Sequence, residues 1–138
     1  MLLADIYVLA LSRTRAQIEL FRDKFLQGFY EAAREYRFPQ LCDEPSWISR
    51  DVNYVVDVLV RERGQHYNIY WNNPTRTDDI RNGILSFTSD AGLIVGLSVP
   101  VEKANQYLDR LKNYMQSTIG CVLLESPPPE TAAEFALQ

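Results

Sequence analysis

Few residues of this 138-residue chain carry the chemistry of a metal or catalytic site. His66 is its one histidine, and Cys42 and Cys121 are its two cysteines. A structural zinc site needs four such ligands, so these three residues cannot build one. Asp78 and Asp79 could offer oxygen ligands to a hard cation, but adjacent carboxylates in an arginine-flanked polar loop are more typical of a solvated charge cluster. We therefore expect no metal and no cofactor.

The spacing motifs of common enzymes are also missing from the sequence. It contains no Gly-x-Ser-x-Gly nucleophile motif, no Gly-x-Gly-x-x-Gly motif, no phosphate-binding loop and no Cys-x-x-Cys pair. Catalysis by His66 would need a nucleophile and an orienting acid, and no spacing assigns either. We predict a non-enzymatic binding protein with no catalytic residue. The alternative is an enzyme or a small-molecule binder with a pocket near His66.

Composition and charge restrict the partners and the compartment. The net charge of −4 and the pI of about 5.0 argue against a generic nucleic-acid binder. The longest apolar stretch, residues 91–101, is far shorter than the ~20 residues that span a bilayer, so we expect no membrane partner. No basic leader precedes Asp5. These features predict a cytoplasmic protein with two free thiols.

Aromatic residues are the most informative feature. Seven lie within residues 36–71, and tyrosine, tryptophan and arginine concentrate at interface hot spots. The alternative is an aromatic-rich core whose polar tips reach water. In residues 67–71 the period of two places Tyr67, Ile69 and Trp71 on one face of a strand and Tyr70 on the other. We predict an exposed partner-binding surface made of Trp47, Tyr70, Trp71, Arg76, Asp78 and Asp79.

Hydrophobic periodicity predicts the elements that position these residues. Residues 5–11, 67–71 and 121–124 have the pattern of strands, and residues 84–88 and 93–99 that of a hairpin. Three helices are predicted. Thr14 caps the first helix, which ends near Gly28, and the helical pattern resumes over residues 31–35. Ser46 or Ser49 caps the second helix. Pro100 lies in the first turn of the third helix, which ends at Gly120. A short edge strand is expected at residues 36–38.

The order of these elements predicts an α+β fold, a mixed, largely antiparallel sheet of about five strands with helices mainly on one face. We expect a single domain over residues 1–126, followed by a proline-rich spacer and a short acidic C-terminal segment over residues 127–138. Thr131 with Glu134 forms a capping box, which predicts one or two helical turns. Phe135 and Leu137 are expected to pack back onto the domain; otherwise this segment reaches a second protomer or a partner.

The hairpin at residues 87–99, the helix after it and the run Glu125-Ser126-Pro127-Pro128-Pro129 resemble small bacterial proteins that neutralise polymorphic or contact-dependent toxins. The resemblance covers the second half of the chain best. It implies a compact, acidic, cytoplasmic immunity-type protein that binds a protein partner such as a toxin and catalyses nothing. It assigns no functional residue. A further hypothesis is a self-associating structural subunit, a homodimer that pairs through an edge strand or the C-terminal segment.

Overall fold

The structure, a computed structural model, describes residues 2–137. Twelve regular elements follow one another along this part of the chain, and a 3-10 turn, Val101–Lys103, precedes the third helix. The elements are β1 (Leu3–Leu9), α1 (Arg15–Phe25), β2 (Tyr30–Glu31), β3 (Tyr36–Phe38), β4 (Trp47–Ser49), α2 (Val52–Arg61), β5 (Tyr67–Asn72), β6 (Asn82–Phe87), β7 (Leu93–Pro100), α3 (Ala104–Met115), β8 (Gly120–Leu123) and α4 (Ala132–Ala136).

The main sheet has six strands in the order β2-β5-β6-β7-β1-β8, and β3 and β4 form a separate two-stranded sheet. Every pair of neighbouring strands is antiparallel. The predicted α+β class with a largely antiparallel sheet is confirmed. The sixth strand is β2, which pairs with β5 over two residues that the sequence pattern assigned to no strand.

One face of the main sheet carries the helices and most of the core. Side chains alternate between the faces of a strand, so every second residue of β1 points to this helix face. Ala4, Ile6 and Val8 are fully buried there, and their partners on β7 and β6 pack beneath α1, α2 and α3. This burial follows from the stripes of apolar residues on the helices, such as Val52, Val55, Val56 and Leu59 of α2.

Arg13, between β1 and α1, joins the helix layer to the sheet from inside the protein. Its side chain is 1% exposed, and its guanidinium carbon lies 5.0 Å from the centroid of the Phe87 ring. The guanidinium donates five hydrogen bonds, all to main-chain carbonyls. Two accept at the hairpin turn, Thr88 at 2.7 Å and Gly92 at 3.4 Å, and three at or beyond the end of α2, Leu59 at 2.8 Å, Gln65 at 3.0 Å and Glu62 at 3.1 Å.

Several predicted boundaries are corrected by pairing between distant segments. Residues 31–35 are not helical, since β2 begins at Tyr30 and pairs with β5. The second helix is capped by Asp51, which accepts a hydrogen bond from Asn53 N at 2.9 Å, because Trp47–Ser49 are held in the small sheet. Pro100 ends β7 opposite Leu3 and directly precedes the 3-10 turn Val101–Lys103, so it does not lie within the first turn of the third helix. The cap at Thr14 and the short strand at residues 36–38 are confirmed.

The C-terminal segment crosses the face of the sheet opposite the helices, which we call the second face. Thr131 caps α4 and accepts from Glu134 N at 3.0 Å, as the capping box predicts. Phe135 is 1% exposed and packs against Tyr7, Ile84 and Ile94. The expectation that Phe135 packs onto the domain is confirmed. For Leu137 it is wrong, because α4 turns that side chain outward and leaves it 89% exposed.

Candidate functional site

The two aromatic residues at the end of β5 have opposite environments. Trp71 is 2% exposed on the helix face, where the guanidinium carbon of Arg22 lies 4.8 Å from its ring centroid. Tyr70 points to the second face and is 46% exposed. The alternation of side chains along the strand correctly predicted that Tyr70 and Trp71 lie on opposite faces of the sheet. The prediction that Trp71 belongs to an exposed surface is wrong, since the helices cover its side of β5.

Trp47 belongs to an aromatic stack beside the small sheet. Its ring stacks on Phe38 at a centroid distance of 4.9 Å, and Tyr54 of α2 contacts it edge-on at 5.2 Å. Phe38 in turn lies 6.5 Å from Tyr67. Phe38 and Tyr67 are buried, Trp47 is half-buried and Tyr54 is exposed. One end of the stack, at Phe38 and Tyr67, is therefore part of the core, and the other end, at Tyr54, lies at the surface.

The connection between β5 and β6 places its two neighbouring aspartates in different surroundings. Arg76 and Asp78 are exposed. Asp79 accepts from Tyr107 Oη at 2.8 Å and from Lys103 Nζ at 3.0 Å, and these contacts lower the pKa of its carboxyl. Asp79 thus holds the connection to α3, while Arg76 and Asp78 stay open to solvent. The structure does not bring these residues together with Tyr70 or Trp47 in one cavity.

The second face contains a polar row with one residue from each of five neighbouring strands. Strand register places five side chains directly opposite one another in turn, and residues opposite each other share a face. Their order across the sheet is Tyr30, Asn72, Asn82, Ser98 and Asp5. A second row, one step along the strands, consists of Tyr70, Ile84, Gly96 and Tyr7. The polar row is thus a continuous band of hydrogen-bonding groups beside an aromatic and apolar band.

Apart from Tyr30, the residues of these two rows line an open hollow of about 280 Å³ on the second face. Its sides are formed by strands β5, β6, β7 and β1, and Ala32 contributes at the edge, where its N–H donates to the carbonyl of Tyr70 at 2.9 Å. Tyr30 flanks the hollow and is 55% exposed. The side chains that carry its chemistry are those of Asp5, Tyr7, Tyr70, Asn72, Asn82 and Ser98.

Asp5 dominates the electrostatics of the hollow. Ser98 Oγ donates to Asp5 Oδ1 at 2.7 Å, which fixes the carboxylate at one end. Burial raises the pKa of Tyr70, and the negative charge of Asp5 raises it further. The same two causes, in the same order, raise the pKa of Tyr7. Both phenols therefore stay protonated at neutral pH and act as neutral hydroxyl groups.

The C-terminal segment limits the hollow on one side. Tyr7 Oη donates to the carbonyl of Ser126 at 2.7 Å. Asp90, in the hairpin turn, accepts from the N–H groups of Ala132 and Ala133 at 2.9 and 3.0 Å and from Thr88 Oγ1 at 2.6 Å. These contacts lower the pKa of Asp90 to about 2. The segment thus covers the part of the second face next to the hairpin turn and leaves the hollow open.

Sequence reasoning found Tyr70 and missed the rest of the hollow. Asp5 lies in an apolar run, and its position indicates the start of a strand rather than part of a site. Asn72, Asn82 and Ser98 lie at or near the ends of strands, where polar residues are common. The signal that could have found them is that each one takes the same alternate position in its own strand. Only the register brings the four into one row.

The other residues singled out by the sequence stand apart from the hollow. His66 is exposed, just before β5, and it lines neither the hollow nor the cavity beside Asp79. Cys42 and Cys121 are both free thiols. Residues 2–137 contain no group of three or more His, Cys, Asp or Glu side chains placed to hold a metal ion. In the same range, no helix has the length and apolar character needed to cross a bilayer.

Comparisons with protein-family models, with curated proteins and with solved structures give no match for this chain.

Proposed function

We propose that this protein is a non-enzymatic binding protein that holds a protein partner against the hollow of the second face, as immunity-type proteins hold a toxin. The observation that carries the proposal is a pair of exposed tyrosines, Tyr30 at the end of the polar row and Tyr70 in the row beside it. Tyr30 and Tyr70 are 55% and 46% exposed on a sheet face whose other half is covered by the chain's own C-terminal segment. An open sheet face with large aromatic side chains is a feature of interaction surfaces.

The residue types of the hollow support a protein partner. Tyrosine supplies a large, rigid contact area at low entropic cost, while asparagine and serine supply adaptable hydrogen bonds. Tyr70, Asn72, Asn82 and Ser98 combine both properties on rigid strands. Truncation of a central tyrosine at such a surface typically costs more than ~1 kcal/mol of binding free energy.

The size and openness of the hollow favour a protein segment over an enclosed small ligand. Its volume of about 280 Å³ lies below the ~300–1,000 Å³ of typical ligand sites, and it opens to solvent rather than enclosing its contents. A side chain projecting from a partner's surface fits such a space. Two hydroxyl groups of the hollow already donate within the protein, Ser98 to Asp5 and Tyr7 to Ser126. The proposal includes a cytoplasmic location, which the two free thiols favour.

The proposal is tested by affinity capture from a lysate of the source organism, followed by calorimetry with the captured protein after purification. Tyr70→Ala is the test variant. Tyr54→Ala is the matched control, because Tyr54 has the same exposed fraction, 46%, but lies at the aromatic stack of Trp47. We expect Tyr70→Ala to weaken binding about tenfold or more and Tyr54→Ala to leave it unchanged.

Two results would overturn the proposal. Loss of binding in Tyr54→Ala with retention in Tyr70→Ala would move the interface to the Trp47 stack. A concentration-dependent increase in mass by light scattering that Tyr70→Ala abolishes would make the partner a second copy of this chain.

A further inference from the structure

The lining of the hollow has an unbalanced charge. Among its described residues, Asp5 is the one charged side chain, and the others are tyrosines, amides, a serine and apolar residues. The ion pairs within residues 2–137 join Arg15 to Glu19 and Asp57 and join Lys103 to Asp79. Asp5 takes part in none of them. Its hydrogen bond from Ser98 uses one of about four acceptor positions on a carboxylate, so most of its capacity to accept hydrogen bonds is left over.

The surroundings of Asp5 suit a positively charged group. The phenol rings of Tyr70 and Tyr7 form walls near the carboxylate, and each feels its negative charge. Aromatic faces attract cations, and a carboxylate hydrogen-bonded to a cation is a stronger contact than one between neutral groups. The side-chain carbonyls of Asn72 and Asn82 can accept further hydrogen bonds from the same group. An anion in the same place would be repelled by the carboxylate of Asp5.

We propose that the hollow receives a cationic side chain of the protein partner, an arginine or a lysine, with Asp5 as its counter-charge. This assignment rests on the proposed function and specifies the chemistry of the partner. Asp5 and Tyr70 lie on strands separated by β6 and β7, about 14 Å apart at the ~4.8 Å spacing of neighbouring strands. A long basic side chain entering between them contacts the ring of Tyr70 along its stem and Asp5 with its head.

The test is an NMR titration of the full-length, isotope-labelled protein with two probes of nearly equal shape, ethylguanidinium and the neutral N-ethylurea. We expect ethylguanidinium to produce saturable shifts at the backbone amides of Asn82, Gly96 and Ser98. Asp5→Asn should weaken this binding by a factor of about 1.5 to 5, the range of an exposed ion pair. Asp78→Asn removes an exposed carboxylate outside the hollow and is the matched control, for which we expect no change.

Three results would overturn the assignment: equal binding of N-ethylurea, equal binding by Asp5→Asn, or shifts that avoid the hollow. The side-chain oxygen that the Asp5→Asn variant keeps can still accept from Ser98, and an unchanged pattern of amide shifts without probe verifies the fold of this variant. Partner capture separates the two proposals. If Tyr70→Ala loses capture of the partner and Asp5→Asn keeps it, the binding face is retained and the cationic side chain is rejected. If neither substitution affects capture, the binding face itself is rejected.

Discussion

The ring of Tyr7 lies on the backbone of Gly96, so closely that a Cβ atom at Gly96 would be 2.6 Å from Tyr7 Cδ1. Ile84 approaches the same point, with its Cγ2 atom at 2.7 Å. The absence of a side chain at this position therefore lets Tyr7 reach Ser126, and it lets Phe135 pack against Tyr7 and Ile84. Gly96 thus makes room for two features, the position of Tyr7 in the hollow and the packing of the C-terminal segment on the second face.

Gly96→Ala should destabilise the protein by ~1–3 kcal/mol, the usual cost of overpacking, because the ring of Tyr7 must move away from the sheet. Urea unfolding followed by tryptophan fluorescence measures the change. Gly64→Ala is the matched control, since nothing lies within 4 Å of a Cβ atom there, and we expect stability to stay the same or rise slightly. Equal stabilities for the two variants would show that the contact with Tyr7 is not tight.

Asp90→Asn should reduce stability at neutral pH and lose this effect in acid. The folded-state pKa of about 2 lies below the ordinary value of 3.8, so the ionised carboxylate stabilises the folded state above pH 3.8. That contribution disappears as the pH falls from about 4 towards 2. Unfolding midpoints measured from pH 7 to pH 2 for the wild type and for Asp90→Asn should converge in this window. Exposed Asp43 provides the control substitution Asp43→Asn.

Phe135→Ala should release the C-terminal segment while the rest of the domain stays folded. Loss of a fully buried phenylalanine costs ~3–5 kcal/mol, and here the cost falls on the docking of residues 124–137. Proteolysis by a glutamate-specific protease should then cleave rapidly at Glu130 or Glu134. Leu137→Ala, at an 89% exposed position of the same segment, should keep the wild-type cleavage rate. A slow rate in Phe135→Ala would mean that the hydrogen bonds to Asp90 and from Tyr7 hold the segment without Phe135.

Arg13→Lys should cost ~1–3 kcal/mol although it preserves the charge. The carbonyls of Leu59 and Thr88 are held by Arg13 in fully buried hydrogen bonds, and loss of one such partner costs ~1–3 kcal/mol because an ammonium group cannot reproduce the planar fork of a guanidinium. Thermal or urea unfolding measures the loss. The exposed Arg76→Lys should stay within ~0.5 kcal/mol of the wild type. A small effect at Arg13 would indicate that water replaces the missing donors.

Local sequence patterns predicted the helices and strands that bury one face. Such an element has apolar residues at a regular spacing, as a stripe along a helix or at every second position of a strand, and this spacing is visible in the sequence. The strands β5, β6 and β7 and the helix α2 are of this kind. The patterns failed where a distant segment decides the structure. Tyr30–Glu31 is a strand because β5 offers a free edge, and Trp47–Ser49 is a strand because β3 pairs with it.

The same distinction separates the predicted from the unpredicted part of the site. The exposure of Tyr70 and the burial of Trp71 both follow from a period of two within one strand. The polar row depends on the register of five strands, and no local pattern specifies it. The burial of Arg13 is likewise not predictable from the local sequence, since it accompanies hydrogen bonds to carbonyls 46 to 79 residues further along the chain.

Because a single guanidinium serves both the end of α2 and the hairpin turn, neither region can open without disturbing the other. Separation of the hairpin from Arg13 would expose a charge whose remaining partners lie at or beyond the end of α2, and unravelling of the last turn of α2 would leave it only the partners at the hairpin turn. The two regions should therefore unfold as one cooperative unit. In native-state hydrogen exchange, amides in the last turn of α2 and on both sides of the hairpin turn should share one opening free energy, and Arg13→Lys should lower it equally for both.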